Sequence, residues 1–150
     1  MSLIKQGAKA PDFTLKDQHG KDVSLTDYQG KMVLLSFHPM AFTGVCIDQM
    51  RALESRYDEL EKKGIVPLGI SVDAVPSKGV WSESMMLEKL LILSDFNPLG
   101  EVAKAYGNFI DKEGFSGRAN VLIGPDGTVI WSKQYDIPEL PGLDEVLEQV

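Results

Sequence analysis

Two nearly continuous apolar runs constrain the fold of this chain more than any other feature. They cover residues 32–37 and 65–72 and contain few polar side chains. A strand that is apolar along both faces is typical of the centre of a sheet covered by helices on both sides. Between the two runs, apolar residues recur at helical spacing at Met50, Leu53, Tyr57 and Leu60, up to a stop at residues 62–64. The sequence therefore predicts strand–helix–strand order, which is typical of the α/β class.

Weaker patterns predict the elements on either side of this unit. Alternating polarity at residues 13–15 and 23–25 indicates an N-terminal β-hairpin. Downstream we expect helices over residues 77–87, 99–106 and 143–150, and strands over residues 91–94, 119–123 and 129–133, the last two joined by a hairpin turn at residues 125–127. No linker, repeat or low-complexity tract divides the chain. We therefore expect a single domain, residues 1–150, with a central β-sheet flanked by helices.

Composition and charge disfavour several function classes. A domain of 150 residues buries roughly two thirds of its unfolded surface, so it needs neither disulfides nor a metal for stability. The formal net charge of −7 disfavours sequence-independent binding to nucleic acid. We see no secretory signal and no apolar run of membrane-spanning length. The expectation is a cytoplasmic protein that binds neither nucleic acid nor membrane.

Cys46 is the only cysteine, and its position at the start of the central helix makes it a candidate nucleophile. Thr43 is a good N-cap residue, which puts the thiol near the third helical position. Unpaired N–H groups and the positive end of the helix dipole there favour the thiolate, which is the reactive form. Pro39 ends the preceding strand, and Gly44 leaves room for a small substrate. On composition alone, the alternative is a small buried hydrophobic residue without chemistry.

Pro39, Thr43 and Cys46 form the pattern PxxxTxxC, which resembles the active-site signature of the peroxiredoxins of the AhpC/TSA type. The resemblance covers most of the chain, from residues 10–15 to residues 117–119. The segments 94–96 and 103–107 are most similar to the one-cysteine, AhpE-like subgroup. This resemblance implies a thioredoxin-like fold, with a central mixed β-sheet flanked by helices and an N-terminal β-hairpin.

The resemblance also implies a reaction. The Cys46 thiolate attacks a hydroperoxide, water or an alcohol leaves, and the sulfur becomes a sulfenic acid. Because the chain has no second cysteine, the reductant is expected to be an external thiol: a thioredoxin-like protein, a glutaredoxin-like protein or a low-molecular-weight thiol. No cofactor is implied, and one cysteine with two histidines lacks the spacing of a zinc site. Members of the subgroup often form homodimers, here through a face that would include Phe42, Trp81 and residues 96–98.

A low thiol pKa does not by itself explain fast peroxide reduction. Lowering a thiol pKa from ~8.5 to ~6 raises the thiolate fraction at neutral pH about thirtyfold. A Brønsted slope of ~0.45 lowers the nucleophilicity about thirteenfold, so the net gain is only about two- to threefold. The remaining acceleration requires groups that bind the peroxide oxygens in the transition state. The resemblance assigns this role to Arg118, with its charged fork of donors, and to Thr43, whose hydroxyl can accept from the peroxide and donate to the sulfur.

Further roles are expected for three residues in or beside the motif. Pro39 is expected to shield the sulfur from water. Gln49, one turn beyond Cys46, either orients Arg118 or faces solvent. His38 departs from the family pattern, which usually has an aromatic residue before the proline; it is either a base for the thiol or a hydrogen-bonded structural residue.

Two other function classes compete with the peroxidase. A thioredoxin-type disulfide oxidoreductase needs a second cysteine where Gln49 stands. A non-catalytic thioredoxin-like binding or redox-sensing module shares the same fold, and only the set of Pro39, Thr43 and Arg118 argues against it. Trp81, Met85 and Met86 are expected in the core or in an interface.

Overall fold

The computed structural model describes residues 2–150 and forms an α/β structure of alternating strands and helices. The strands of the described residues are β1 (Thr14–Lys16), β2 (Asp22–Ser24), β3 (Met32–Phe37), β4 (Ile65–Ser71), β5 (Leu91–Ser94), β6 (Phe109–Ile110), β7 (Phe115–Ser116), β8 (Arg118–Ile123) and β9 (Val129–Tyr135). The helices are α1 (Gly44–Ser55), α2 (Tyr57–Lys62), α3 (Val75–Ser84), α4 (Glu101–Ala105) and α5 (Leu143–Leu147). A short 3-10 turn, Leu25–Tyr28, follows β2.

Seven of these strands form one mixed sheet in the order β2-β1-β5-β4-β3-β8-β9. Strands β3, β4 and β5 run parallel, whereas β8 pairs antiparallel with β3 and β9 pairs antiparallel with β8. Strands β1 and β2 form the antiparallel N-terminal hairpin and join the sheet beside β5. The mixed sheet with flanking helices and an N-terminal hairpin confirms the fold class that the sequence predicts.

Strand β3 is apolar because the sheet has a hydrophobic core on each of its two faces. Leu34 packs in a cluster with residues of α1, α3 and α5, while Val33 and Leu35 pack in the cluster on the other face, with residues of α4. Successive side chains of a strand point to opposite faces. A strand with helices on both sides is therefore mostly apolar, and the one polar side chain of β3, Ser36, is buried with its hydroxyl bonded to Oδ1 of Asn120.

Gly69 in β4 lets helix α1 approach the sheet closely. A Cβ atom at this position would lie 2.5 Å from Sδ of Met50 and 3.1 Å from a side-chain carbon of Ile92. Met50 is fully buried and lies one turn beyond Cys46 on the same helix. The missing side chain at Gly69 thus sets the depth at which α1, and with it Cys46, packs on the sheet.

Several element boundaries differ from the sequence prediction. The helix expected to run from Cys46 to residues 62–64 is interrupted at Arg56, which has φ −104° and ψ 14°. The helix expected over residues 77–87 is α3, which starts earlier because a proline is tolerated in the first turn. It ends at Ser84 because Met86 adopts a positive φ of 56°.

Other differences lie in the second half of the chain. The helix expected over residues 99–106 is shortened to α4, and the closing helix expected over residues 143–150 ends at Leu147. The two-stranded β6-β7 hairpin has no counterpart in the prediction, because strands of two residues are too short to show alternation. Within residues 2–150, none of the helices has the length and apolar character needed to cross a membrane.

Candidate active site

One edge of the sheet collects the polar residues of the site. His38, Asp73 and Asp95 lie just beyond the carboxyl ends of the parallel strands β3, β4 and β5. Strand β8 runs in the opposite direction, with Ala119 paired to Phe37, so its first residue, Arg118, lies at the same edge. In open α/β sheets, ligands bind outside the carboxyl ends of the strands. The topology therefore brings these groups together beside the start of α1.

Cys46 is the third residue of α1, as its position after the N-cap residue Thr43 predicts. Its side chain is fully buried. The first intrahelical hydrogen bond runs from the Ile47 N–H to the Thr43 carbonyl, at 2.9 Å. The N–H groups of this first turn have no partner inside the helix, which favours negative charge on a group at this position.

The side chain of Thr43 does not make the contact with the sulfur that we expected from the sequence. Its hydroxyl donates to the carbonyl of Met40, at 2.8 Å, and makes no capping hydrogen bond. This hydrogen bond is local, because Met40 lies only three residues before Thr43 in the same loop. Thr43 is exposed, so its oxygen can still accept a hydrogen bond from a bound molecule.

The loop between β3 and α1 is held from the end of β4. The Ala41 N–H donates to Oδ2 of Asp73 at 2.8 Å, and the hydroxyl of Ser71 donates to the same oxygen at 2.6 Å. Phe42 has a φ of 68°, a left-handed conformation that is strained for an aromatic residue. Pro39 is buried at the start of the loop. Sequence reasoning missed Asp73, because its partner lies 32 residues earlier in the chain.

Arg118 directly contacts the sulfur. Its Nη1 lies 3.3 Å from Sγ of Cys46 and 2.7 Å from Oε1 of Gln49, and its Nε donates to the Ile137 carbonyl at 2.8 Å. The residue is only 2% exposed. None of the ion pairs within residues 2–150 includes Arg118. The contacts of this buried guanidinium are therefore two neutral oxygens and the sulfur.

Gln49 begins a polar chain behind Arg118. It is 3% exposed, so the solvent-facing alternative is wrong. Its Nε2 donates to Oγ of Ser36 at 2.7 Å and to the Phe37 carbonyl at 3.2 Å, and the Ser36 hydroxyl donates to Oδ1 of Asn120 at 2.8 Å. These bonds leave Oε1 of Gln49 directed at Arg118, so α1, β3 and β8 jointly orient the guanidinium. Sequence reasoning missed Ser36 and Asn120, which lie within strands.

His38 lies fully buried, with its ring centroid 5.3 Å from that of Trp81. Its Nδ1 is 3.4 Å from the Ser36 carbonyl, and its own carbonyl accepts from the Ser116 hydroxyl at 3.1 Å. Burial lowers the pKa of His38 well below its ordinary value, and the positive charge of Lys78 lowers it further. The imidazole is therefore neutral at pH 7 and makes no hydrogen bond to Cys46 among the described residues, which favours the structural alternative.

Lys78 is a second buried cation near the site, and the sequence analysis did not identify it. It lies in α3, is fully buried, and its Nζ has no hydrogen-bond partner among residues 2–150. Burial lowers its pKa to about 7, against the opposing charges of Asp73, Cys46 and Asp95. The available signal was its spacing of three and seven residues from Trp81 and Met85, which places all three on one face of the helix that the sequence predicts over residues 77–87.

The aromatic residues around the loop divide into core and surface. Trp81 is fully buried and cannot belong to a contact face, contrary to the expectation that it would take part in one. Phe42 and Phe96 are 54% and 52% exposed, and Met86 is 73% exposed. The ring centroids of Phe42 and Trp81 are 6.1 Å apart, so Phe42 covers the buried indole from outside.

The described residues contain no group of three or more His, Cys, Asp or Glu side chains that could hold a metal ion. The cation that faces the sulfur is a guanidinium, which supplies oriented hydrogen-bond donors and a permanent charge. This arrangement can hold a thiolate in a buried site beside the exposed hydroxyl of Thr43. The site is open at Gly44, where an added Cβ atom would meet nothing within 4 Å.

Comparisons with known proteins show the family of this chain. Residues 6–132 match the model of the AhpC/TSA family. The chain is 38% identical to the alkyl hydroperoxide reductase E of Mycobacterium tuberculosis over 128 residues, covering 85% of this chain and 83% of that protein. It is 36% identical to the peroxiredoxin Bcp of Escherichia coli over 133 residues, covering 86% and 85% of the two chains.

The solved structures lead to the same family. The reduced 2-Cys peroxiredoxin of Plasmodium vivax superimposes with a TM-score of 0.86 at 28% identity, covering 98% of this chain and 79% of the other. The family match spans far more than half of the 150 residues, and the solved peroxiredoxin structure shares the fold. This chain therefore belongs to the AhpC/TSA family and is a peroxiredoxin.

Proposed function

We propose that Cys46 is the peroxidatic nucleophile of this thiol-dependent peroxidase, and that Arg118, Thr43, Pro39 and Gln49 complete its catalytic site. The observation that carries the proposal is the buried contact of 3.3 Å between Nη1 of Arg118 and Sγ of Cys46. A buried charge is costly unless it is paired. Arg118 is in no carboxylate ion pair among residues 2–150, so a thiolate at Cys46 is the anion that this guanidinium stabilises.

The first half of the cycle oxidises the sulfur. The thiolate attacks the terminal oxygen of hydrogen peroxide or an organic hydroperoxide, an S–O bond forms and the O–O bond breaks. The sulfur loses two electrons, the peroxide gains them, and the leaving oxygen takes up a proton to become water or an alcohol. The product on the protein is a sulfenic acid at Cys46.

The second half of the cycle needs thiols from outside the chain. Two external thiols reduce the sulfenic acid to the thiol, with release of one water and formation of one disulfide between the reductants. Cys46 is the only cysteine, so no resolving thiol exists within the chain. The reductant is a thioredoxin-like protein, a glutaredoxin-like protein or a low-molecular-weight thiol.

Each of the other site residues has a distinct role in this proposal. Arg118 holds the thiolate and the peroxide oxygens together as charge moves from sulfur to the leaving oxygen. Thr43 accepts a hydrogen bond from the peroxide, while its own proton is bound to the Met40 carbonyl. Gln49 orients Arg118 through the bond of 2.7 Å between Oε1 and Nη1. Pro39, buried at the loop start, keeps water from the sulfur.

We further propose that residues 1–150 act as one catalytic domain and form a homodimer. Cys46 lies in α1, whereas Arg118, which contacts its sulfur, begins β8 and is held by the carbonyl of Ile137 beyond β9, so the site needs both halves of the chain. The exposed apolar residues Phe42, Phe96 and Leu99 support a contact face beside the site. A cytoplasmic location is part of the proposal, because the cycle consumes reduced thiols and that compartment maintains them.

The proposal is tested with Cys46→Ser, because a serine hydroxyl does not ionise appreciably at neutral pH. We expect peroxide consumption, measured with an excess of dithiothreitol as reductant, to fall to the uncatalysed rate while the circular dichroism spectrum is unchanged. Residual turnover above that rate in the folded variant would contradict the mechanism. A parent protein that binds partners but consumes no peroxide would instead identify a non-catalytic module.

A further inference from the structure

Lys78 is the most unusual residue that the proposed cycle does not use. Lysine is almost never fully buried without a partner, yet this side chain is fully buried and its Nζ has no hydrogen-bond partner among residues 2–150. It projects from α3 on the same face as Trp81, three residues later, whose indole belongs to the same buried cluster as Cys46. Such a position would ordinarily hold an apolar residue, because a buried ammonium without a partner loses its hydration and gains no ion pair in return.

The charged and titratable groups around Lys78 come from every element that packs at this edge. Asp73 follows β4, Asp95 follows β5 and Cys46 is in α1; negative charge on any of the three would raise the pKa of Lys78, against the effect of burial. His38, after β3, is on the same side and is kept neutral partly by the charge of Lys78. Arg118, in β8, acts on His38 and contacts the sulfur.

The two carboxylates already have other donors. Asp73 accepts from the Ala41 N–H and the Ser71 hydroxyl. Asp95 accepts from the N–H groups of Val102 and Ala103, at 3.0 and 2.9 Å.

In the proposed cycle, the charge of Cys46 changes at each turnover. It is negative as a thiolate and neutral as a sulfenic acid. Any group that interacts with the sulfur electrostatically feels this change at every turnover.

We propose that Lys78 is a positioning residue of the peroxidase reaction, whose ammonium charge holds Cys46 as a thiolate and is given up when the sulfur is oxidised. This inference rests on the proposed function. Coupling between two sites is reciprocal: if Lys78 stabilises the thiolate, the thiolate stabilises protonated Lys78 by the same free energy. Arg118 stays charged throughout the cycle, whereas Lys78 can lose its positive charge by deprotonation.

The oxidation step balances with this pair. Cys46–S⁻, Lys78–NH₃⁺ and ROOH give Cys46–SOH, Lys78–NH₂ and ROH. An S–O bond forms as the O–O bond breaks, and two electrons pass from the sulfur to the peroxide. The proton that Lys78 loses balances the proton that the leaving oxygen gains. After the step, neither Cys46 nor Lys78 carries a charge. Reduction of the sulfenic acid by external thiols restores both charges.

The experiment compares Lys78→Met with the parent protein and with Lys112→Met, which removes the same charge from an exposed position. Methionine has a similar length and suits a buried apolar site. We expect the midpoint of the ultraviolet thiolate titration to rise by about one pH unit in Lys78→Met. The rate constant for hydrogen peroxide below that midpoint should fall about tenfold, and its pH profile should shift with the titration. Lys112→Met should match the parent in both measurements.

Protein stability separates this role from a merely structural one. Replacing a buried, unpartnered ammonium with an apolar side chain should leave the urea midpoint unchanged or raise it. A lower urea midpoint with an unchanged thiolate titration would overturn the inference and make Lys78 a structural residue. A superimposable titration and pH profile in the folded variant would overturn it as well.

A second measurement does not depend on the folding of Lys78→Met. NMR of the Lys78 side-chain ε-methylene against pH should give a lower titration midpoint in Cys46→Ser than in the parent, because the anion is gone. Equal midpoints in the two proteins would refute the coupling. Failure of the proposed function is a separate result: it would appear as peroxide turnover in Cys46→Ser, whatever the behaviour of Lys78.

Discussion

Arg118→Lys tests the proposed role of Arg118 in peroxide reduction. The guanidinium makes three contacts at once: Nη1 reaches the sulfur and Oε1 of Gln49, and Nε reaches the Ile137 carbonyl. A lysine ammonium keeps the positive charge but has one nitrogen, which cannot hold the peroxide oxygens and the sulfur in a fixed plane. The substitution therefore separates charge from oriented donation.

The expected loss in rate depends on which of these contacts stabilises the transition state. Losing one oriented donor that acts on developing charge costs a factor of about 10² to 10³. We expect the rate constant for hydrogen peroxide to fall about a hundredfold, equivalent to about 2.7 kcal/mol of transition-state stabilisation. Because the charge remains, the midpoint of the thiolate titration should move by less than about half a pH unit, since a charge in place continues to favour the thiolate.

The same variant should lose some stability. The buried Oε1 of Gln49 loses its donor at 2.7 Å, and an unsatisfied buried acceptor costs roughly 1–3 kcal/mol. The unfolding free energy from a urea titration checks this. Arg51→Lys, an exposed substitution on α1, is the matched control and should behave like the parent in every assay.

One sample provides both the rate constant and the thiolate titration. Stopped-flow fluorescence follows the reaction through Trp81, which lies in the same buried cluster as Cys46, and ultraviolet absorbance against pH follows the thiolate. If folded Arg118→Lys reacted with hydrogen peroxide and with an organic hydroperoxide at nearly the parent rate, the assigned role of Arg118 would be wrong. The acceleration would then have to come from another group.

Three further predictions concern the oxidised protein, acid stability and packing. Excess peroxide should convert Cys46 through the sulfenic to the sulfinic acid, because no thiol within the chain competes; intact-mass spectrometry checks this, and a disulfide-linked dimer as the main first product would contradict it. The lowered pKa of His38 means that the unfolded chain binds more protons as the pH falls below about 6.5, so stability is lost in that range; His38→Phe should flatten this acid limb in urea titrations at several pH values, and an unchanged limb would argue against it. Gly69→Ala should lower the unfolding free energy by about 1–3 kcal/mol, because the added methyl group overlaps Met50; chemical denaturation measures the loss, and a variant as stable as the parent would show that α1 can shift at no cost.

Local patterns were sufficient for much of the fold. The strands β3 and β4 and the start of α1 follow from apolar runs and a capping residue, which are visible over a few residues. The breaks at Arg56 and Met86 were not predicted, since backbone dihedral angles at helix ends depend on the surrounding packing. The β6-β7 hairpin was missed because two-residue strands show no periodicity.

The candidate site divides in the same way. The position of Cys46 in the first turn of a helix, after Thr43, could be derived from neighbouring residues. Arg118 lies 72 residues further along the chain and needed the family resemblance to be singled out. The hydroxyl of Thr43 turned to the Met40 carbonyl instead of the sulfur, because the choice between two nearby acceptors depends on the exact path of the loop.

The sequence by itself determined the α/β order, the single thiol, the requirement for an external reductant and the family pattern of PxxxTxxC. Only the tertiary structure decided that Arg118 and Lys78 are both buried, that Gln49 is one link in a polar chain from Asn120 to the guanidinium, and that Asp73 holds the loop between β3 and α1. The physical reason is that periodicity and capping act between residues a few positions apart. Burial, and the electrostatic effects that follow from it, arise where strands distant in sequence end at one edge of the sheet.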